Sequence, residues 1–563
     1  MRYFKEILSK NKYWVVLYLF FCLNAAFMSG FEASIFQQVI DGFTAGDLTL
    51  KVILLYGGIR LWCTIANYLN NWPTNKLDTG FLLDFKLLAL AKISRMDYGT
   101  YRTIGTGKIM QRIENGAAAG RNILFGFWLN LFGSLLPTIF FNVLFIWRIS
   151  PAITGVLLVS YALVFLVSNL LLKALYRIKE RVLACEEQLN HFLVRGFMEM
   201  LVFRMERQFP GEIRKAADAK REIVNSKGKM TMIHEAFFTL FAILVVLLNI
   251  SVLIYAYFSH SVTVGEAVTL ITLIGNAYTP IAIFNVVFVQ YKLDRAAYKR
   301  FENFMNTPDD PQLMEGESVY VQGDITIRNL HFAYGERVLF DRLDLHIRQG
   351  EKVAFVGESG SGKTTLLHIL SGLTKYESGS VQISGQELKA VCLDSLYEQI
   401  FYVSQDSPVF DGTLRENMAF DRPLTDEKLW EALRKGELSA LAEKMPAGLD
   451  TAVGERGAVL SGGEKQRLAL TRLYLTEKPL VLLDEATSAM DNLTERSVMD
   501  AVLEAAKNST VIAVAHRLSA VAGFDRIVVF HDGMIVGDGT FSELMEKNEY
   551  FRKLYQAAEE NRT

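Results

Sequence analysis

The chain of 563 residues has little cysteine, and its four thiols, Cys22, Cys63, Cys185 and Cys392, are scattered without C-x-x-C spacing. That excludes a disulfide framework and a cysteine-rich zinc site. No charge of one sign dominates, since 59 Lys+Arg stand against 61 Asp+Glu for a net charge of −2. There is thus no basic field for nucleic acid and no acidic solvating tail. Charge of either sign is scarce, at 21% where soluble chains carry about 25%. No tandem repeat is evident. The basic start, Met1 to Lys12, leads into an apolar run too long for a cleavable signal peptide. What the sequence does have is apolar bulk: 51% hydrophobic residues, with 38 Phe and 22 Tyr. Its mean hydropathy of +0.20 is too high for a wholly soluble chain and too low for one lying entirely in a membrane. A membrane part joined to a soluble part is predicted.

Apolar stretches of spanning length fall only in the first half. Six are predicted, at about Tyr13–Phe36, Thr49–Asn71, Asn122–Trp147, Pro151–Leu175, Glu235–Phe258 and Val264–Gln290. If Met1–Lys12 is cytoplasmic, the inner segments 1–12, 72–121 and 176–234 carry 4, 8 and 12 Lys+Arg, and the outer loops 37–48, 148–150 and 259–263 carry 0, 1 and 0. That asymmetry sets both termini in the cytoplasm by the positive-inside rule. Leu82–Met96 and Val182–Ala219 have helical spacing, much charge and few breakers, so the two long inner segments read as helical extensions of the spans.

Around Asn306 the character changes. Asn306-Thr-Pro308-Asp-Asp-Pro311 has linker chemistry, and short β-rich runs then alternate with helical ones, the pattern of a mostly parallel α/β sheet. The expected organisation is a six-span, all-α membrane domain over 1–305 with two long intracellular hairpins, a linker over 306–321, and an α/β P-loop nucleotide-binding domain over 322–563.

The soluble half carries the chemistry. Val353-Ala-Phe-Val356 leads into Gly357-Glu358-Ser359-Gly360-Ser361-Gly362-Lys363-Thr364-Thr365, which fits G-x-x-x-x-G-K-[ST] between a strand and a helix. Such glycines let backbone N–H groups face phosphate oxygens, and the helix adds its positive end. Lys363 supplies a point charge to the β/γ-phosphates and the Thr364 hydroxyl can ligate Mg²⁺. Leu480-Val-Leu-Leu483 buries a strand and delivers Asp484 and Glu485 at its C-terminal edge, where α/β folds bind ligands. Asp484 would hold Mg²⁺ through water, and Glu485 could orient and deprotonate the attacking water.

Leu460-Ser461-Gly462-Gly463-Glu464-Lys-Gln-Arg467 lies between these two motifs, and it resembles the signature of ATP-binding-cassette (ABC) proteins, with Glu464 where the family often has Gln. The resemblance implies further roles. Tyr334 resembles the aromatic that stacks on adenine, and such stacking is worth about 1–3 kcal/mol for a base on an aromatic ring. Gln405 resembles the Q-loop glutamine that touches Mg²⁺ and the attacking water. Ser488-Ala-Met490-Asp491 resembles the D-loop, with Met490 where Leu is usual, and His516 resembles the H-loop histidine on the γ-phosphate. Glu485, His516 and Gln405 would then be the catalytic set, with ATP and Mg²⁺ as ligands. Ser461, Gly462, Gly463 and Glu464 would be offered to a second chain's nucleotide.

More loosely, Tyr98 through Ile113 and Gly196 to Glu206 resemble the two intracellular hairpins of exporter-type members. The second hairpin departs from the usual polar pattern at Met198-Glu-Met-Leu201. Gly454-Glu455-Arg456-Gly457 resembles a segment that lies against the membrane helices in such proteins.

One P-loop, one signature and six spans make half of a transporter, so the resemblance implies a second half, as homodimer or heterodimer, in a lipid bilayer, with a bacterial inner membrane expected. The function expected is ATP-driven transport of a small molecule, lipid or peptide, with export ahead of import of a metal chelate on the same fold. A non-transport ABC ATPase fits the six spans poorly. Candidate cavity residues are Glu32, Arg60, Asn67, Asn130, Asn142, Asn249, Asn276, Tyr278 and Asn285, for which helix–helix hydrogen bonding is the competing role.

Overall fold

The computed structural model describes residues 2–259, 262–454, 457–515, 517 and 521–560, without side chains at 164–165, 167–174, 187, 198, 259, 282, 285, 492 and 558–560. By contacts the chain divides into two compact units: residues up to Ser94 with Ile104–Thr307, and Arg95–Thr103 with Pro308 onward.

The first unit is helical: α1 (Arg2–Lys10), α2 (Lys12–Ala45), α3 (Leu50–Ile93), α4 (Tyr98–Ile104, whose first residues belong to the second unit), α5 (Thr106–Arg121), α6 (Leu136–Ile149), α7 (Pro151–Met198), α8 (Met200–Met205), α9 (Phe209–Ser259) and α10 (Val264–Met305). Between α5 and α6 the helix runs on through two wider, π-type stretches, Asn122–Leu129 and Leu131–Leu135. Among the described residues five helices are long and apolar enough to cross a membrane: Lys12–Ala45, Leu50–Ile93, Thr106–Ile149, Phe209–Phe258 and Val264–Met305. The remaining predicted span, Pro151–Leu175, opens α7, where the described apolar stretch is Pro151–Leu163.

Helix starts follow local chemistry. Ser150 accepts from Ile153 N ahead of Pro151 at α7, a residue with no N–H to lose. Thr263 and Glu266 close a capping box at α10. The 48 residues of α7 and 51 of α9 correspond to about 72 and 76 Å at 1.5 Å per residue. A hydrocarbon core is only about 30 Å thick, so much of each helix must lie outside it. Ion pairs tie these outer parts together: Arg181–Glu222 at 3.4 Å, Lys227–Glu186 at 2.7 Å and Arg195 Nε to Glu212 at 2.8 Å. The apolar parts of α2, α6, α7, α9 and α10 share a core that includes Ala33, Ile146, Leu157, Phe241, Leu270 and Ile274.

Several polar residues flagged in the spans are bonded within the unit. Arg60 pairs with Glu32 at 2.6 Å, Asn276 donates to Ser29 Oγ at 3.2 Å, Asn142 donates to Thr138 O at 2.7 Å, and Tyr278 bonds Ser160. The Asn285 side chain lies outside the described residues.

The second unit holds two sheets. β1 (Ile325–Tyr334), β2 (Arg337–Ile347), β4 (Ser378–Ile383) and β5 (Gln386–Glu387) form an antiparallel sheet in the order β2-β1-β4-β5. β3 (Lys352–Gly357), β6 (Ile400–Val403), β7 (Leu480–Asp484), β8 (Thr510–Val514), β9 (Arg526–His531) and β10 (Met534–Gly539) form the other, in the order β10-β9-β3-β8-β7-β6. In it every neighbouring pair is parallel except β9 with β10. The parallel strands are buried on both faces: Val353 and Phe355 enter one core, Ala354 and Val356 the other. The helices are α11 (Lys363–Leu370), α12 (Leu393–Gln399), α13 (Leu414–Ala419), α14 (Asp426–Lys435), α15 (Ser439–Lys444), α16 (Gly462–Thr471), α17 (Asn492–Ala505), α18 (Phe541–Lys547) and α19 (Glu549–Glu560). A separate apolar core under α13, α14 and α15 includes Met418, Leu429, Leu433 and Leu468 of α16.

Candidate nucleotide-binding site

The ends of β3, β7 and β6 bring the predicted residues to one edge of the larger sheet. β3 ends at Gly357, which has φ +144° and where a Cβ would lie 2.1 Å from Phe530 O. Gly362 has φ +107° and no room for a Cβ beside Phe340. Only glycine meets both demands, so the loop folds tightly back and α11 starts at Lys363.

Lys363 is buried, with Nζ 2.8 Å from Gly357 O, 2.7 Å from Glu358 O and 3.4 Å from Ser361 Oγ. Burial pushes its pKa down, and the carboxylates of Glu485, Asp484 and Glu358 pull it back. Thr364 Oγ1 donates to Asp484 Oδ1 at 2.8 Å, with Asp484 2% exposed. Glu485 follows at φ +50°, a conformation uncommon for a side-chain-bearing residue and often found at functional sites. Its backbone N–H donates to Val514 O at 3.2 Å, and Gln405 Nε2 donates to its Oε2 at 2.7 Å.

A cleft of ≈ 430 Å³ is lined by Tyr334, Arg337, Leu339, Ser359, Gly360, Gly362, Lys363, Thr364, Thr365, Gln405 and Glu485. Tyr334 is half-exposed, packed edge-on against Phe332, with its phenol 3.3 Å from Thr365 Oγ1. The Thr364 hydroxyl and the Asp484 carboxylate beside it are hard oxygen donors of the kind that suits Mg²⁺.

The signature stands elsewhere in the unit. Ser461 caps α16, accepting from Glu464 N, while Glu464 Oε2 accepts from Ser461 N at 2.7 Å. This reciprocal capping box gives Glu464 a structural purpose where the family often has Gln. None of Ser461, Gly462, Gly463 and Glu464 lines the cleft. Asp491 caps α17 through Leu493 N and Thr494 N, and Met490 is buried. His516, Glu455 and Arg456 lie outside the described residues. Arg517, next to His516, donates to Met490 O at 2.6 Å.

Two features escape sequence reasoning. The Arg95–Thr103 segment, part of this unit, sets the Tyr98 ring edge-on to His368 of α11 at 6.5 Å, and His368 Nε2 lies 3.1 Å from Tyr402 OH on β6. Burial, helped by the Arg102 charge, pushes the His368 pKa down. The second is Gln466 of α16, whose side chain reaches the loop after β7. It stands inside the signature string, but nothing in the string says what it touches.

The sequence profile described as ABC transporter matches residues 340–488, and that described as ABC transporter transmembrane region matches residues 15–280. Together they cover most of the chain. The chain belongs to the ABC transporter family. It joins the helical membrane part and the α/β ATP-binding part of this ABC family in one polypeptide.

Among its curated relatives are the ABC transporter ATP-binding protein YwjA of Bacillus subtilis, 38% identical over 53% of this chain and 52% of the relative, and the ATP-dependent lipid A-core flippase of Neisseria meningitidis, 36% identical over 59% of this chain and 55% of the relative. The chain thus spans about half the length of the curated relatives it matches. A solved bacterial Atm1-family ABC exporter with ATP bound superposes with a TM-score of 0.82 at 21% identity, covering 98% of this chain and 99% of that one. The fold is the exporter type.

Proposed function

We propose that this ABC chain is half of an ATP-driven exporter that moves an amphipathic, lipid-like molecule across a bacterial membrane, with both termini cytoplasmic. The observation that carries the proposal is the cleft in which Lys363, Thr364, Gln405 and Glu485 meet, beside Asp484, in a chain that also carries a bundle of spanning helices. The lipid A-core flippases among the relatives support a lipid-like cargo, and the exporter fold supports export. The Lys+Arg asymmetry of the connecting segments supports the orientation.

The residues have roles their geometry suits. Tyr334 offers a free ring face to a base. Lys363, already set beside the loop carbonyls, needs only to turn its ammonium to phosphate oxygens. Thr364 and Asp484 would hold Mg²⁺, which when bound neutralises phosphate charge and orients the triphosphate. Gln405 holds the Glu485 carboxylate, and Glu485 Oε2 takes the proton of the attacking water. His516 would contact the terminal phosphate.

Since the signature does not line the chain's own cleft, Ser461 and Gly463 serve a second half. Two copies of this chain suffice, because each brings both sides of a site. Binding of two nucleotides then favours the closed pair, and hydrolysis releases it. Inside-out vesicles loaded in their outer leaflet with a nitrobenzoxadiazole-labelled phospholipid provide the test. ATP is expected to carry label to the inner leaflet, where dithionite does not bleach it. In matched vesicles labelled in the inner leaflet, ATP-driven exposure of label to dithionite would make the protein an importer, and no ATP-dependent movement in either set would remove lipid-like cargo from the proposal.

A further inference from the structure

Gln466 is 4% exposed and uses its whole amide group. Its Oε1 accepts from Ala489 N at 2.8 Å, and its Nε2 donates to Ser488 Oγ at 2.9 Å and to Glu485 O at 3.3 Å. All three partners lie on the loop that joins β7 to α17. That loop starts from the left-handed backbone of Glu485, whose carbonyl also accepts from Ser488 N at 3.2 Å. One acceptor and two donors on a single planar group is what an amide provides. A carboxylate there would set an oxygen against the Glu485 carbonyl, and an apolar side chain would leave a buried N–H without its acceptor.

The same α16 is capped by Ser461, five residues before Gln466. One short helix therefore carries the signature at its N-terminus and, little more than a turn later, the brace under Glu485.

We infer that Gln466 is a positioning residue that fixes the loop carrying Glu485 to the signature helix. In a pair of chains, Ser461 faces the partner's nucleotide and Glu485 faces the chain's own. Gln466 then joins the two ATP sites through a single polypeptide, so that engagement of the signature at one site sets the Glu485 backbone at the other. The inference rests on the proposed role of Glu485 as base.

The test uses the full chain in lipid nanodiscs, with steady-state ATP hydrolysis measured against ATP concentration. Gln466→Glu is expected to lower kcat at least tenfold and to leave KM for ATP within twofold. Ser488→Ala removes one partner of the brace from the loop side, without altering Gln466, and is expected to lower kcat two- to fivefold with KM unchanged. This second variant carries the test if Gln466→Glu does not fold. Wild-type kcat in either folded variant overturns the inference, and so does a loss of kcat matched by an equal rise in KM, which would mark a general loosening of the site. Glu485→Gln run alongside separates the two readings. If Glu485→Gln still turns over, the base assignment fails. If Glu485→Gln is inactive while Gln466→Glu keeps wild-type kcat, the brace alone fails.

Discussion

Glu485→Gln abolishes steady-state ATP hydrolysis, by at least 100-fold, while ATP binding remains within about threefold of wild type. The size follows from the role, since a positioned general base contributes about 10²–10⁴-fold. The specificity follows from the geometry. The substituted amide has the same shape, and its oxygen can still accept from Gln405 Nε2, which donates to Glu485 Oε2 at 2.7 Å. The backbone at φ +50° is held through its own groups, the N–H on Val514 O and the carbonyl on Gln466 Nε2 and Ser488 N. The loop therefore stays in place and only the proton acceptor is lost. Phosphate release gives the rate, and binding of a fluorescent ATP analogue gives the affinity. Wild-type turnover in the variant would remove Glu485 from the chemistry.

Lys363→Ala fails at an earlier step. The ammonium is buried and rests on two loop carbonyls and a serine hydroxyl. A hydrogen bond to a charged group is worth about 1.5–3 kcal/mol, or roughly 10- to 150-fold in affinity at 1.36 kcal/mol per decade. ATP affinity is expected to fall at least tenfold and kcat/KM at least 100-fold. The apparent thermal midpoint, read with and without nucleotide, gives a second check. The stabilisation that saturating ATP gives the wild type should be lost. Retention of that nucleotide-dependent rise would contradict the role given to Lys363.

Much of this was legible because the ATP-binding half writes its chemistry in local strings. The buried strands β3, β7 and β8 stand out as continuous apolar runs, and Lys363, Thr364, Asp484 and Glu485 sit at their ends or just beyond them. Charge without breakers, another local pattern, runs along α7 and α9, but the chain turns at 206–208, inside the stretch expected to be helical.

What stayed hidden is long-range or conformational. Nothing near Tyr98 announces a ring contact with His368, 270 residues away in sequence. Glu32 and Arg60 read as separate candidate cavity residues, but they lie on neighbouring helices and pair with each other. The left-handed φ of Glu485 leaves no mark on composition. Gln466 lies in full view within the signature, and its use becomes plain only when α16 and the loop after β7 are packed together. The wider helical turns from Asn122 to Leu135 interrupt an apolar run without any proline or charge to mark them.

The central claim is that each ATP site needs the P-loop of one chain and the signature of another. Mixing two inactive variants tests it most directly. A Lys363→Ala chain has a defective P-loop and an intact signature, and a Ser461→Arg chain has the reverse. Each variant paired with itself has no complete site, but a mixed pair has one. Co-reconstitution in nanodiscs is predicted to restore ATP hydrolysis that neither variant shows alone. If the mixture stays as inactive as its components, with mixed pairs demonstrated by two affinity tags, the trans arrangement and the half-transporter account built on it are contradicted.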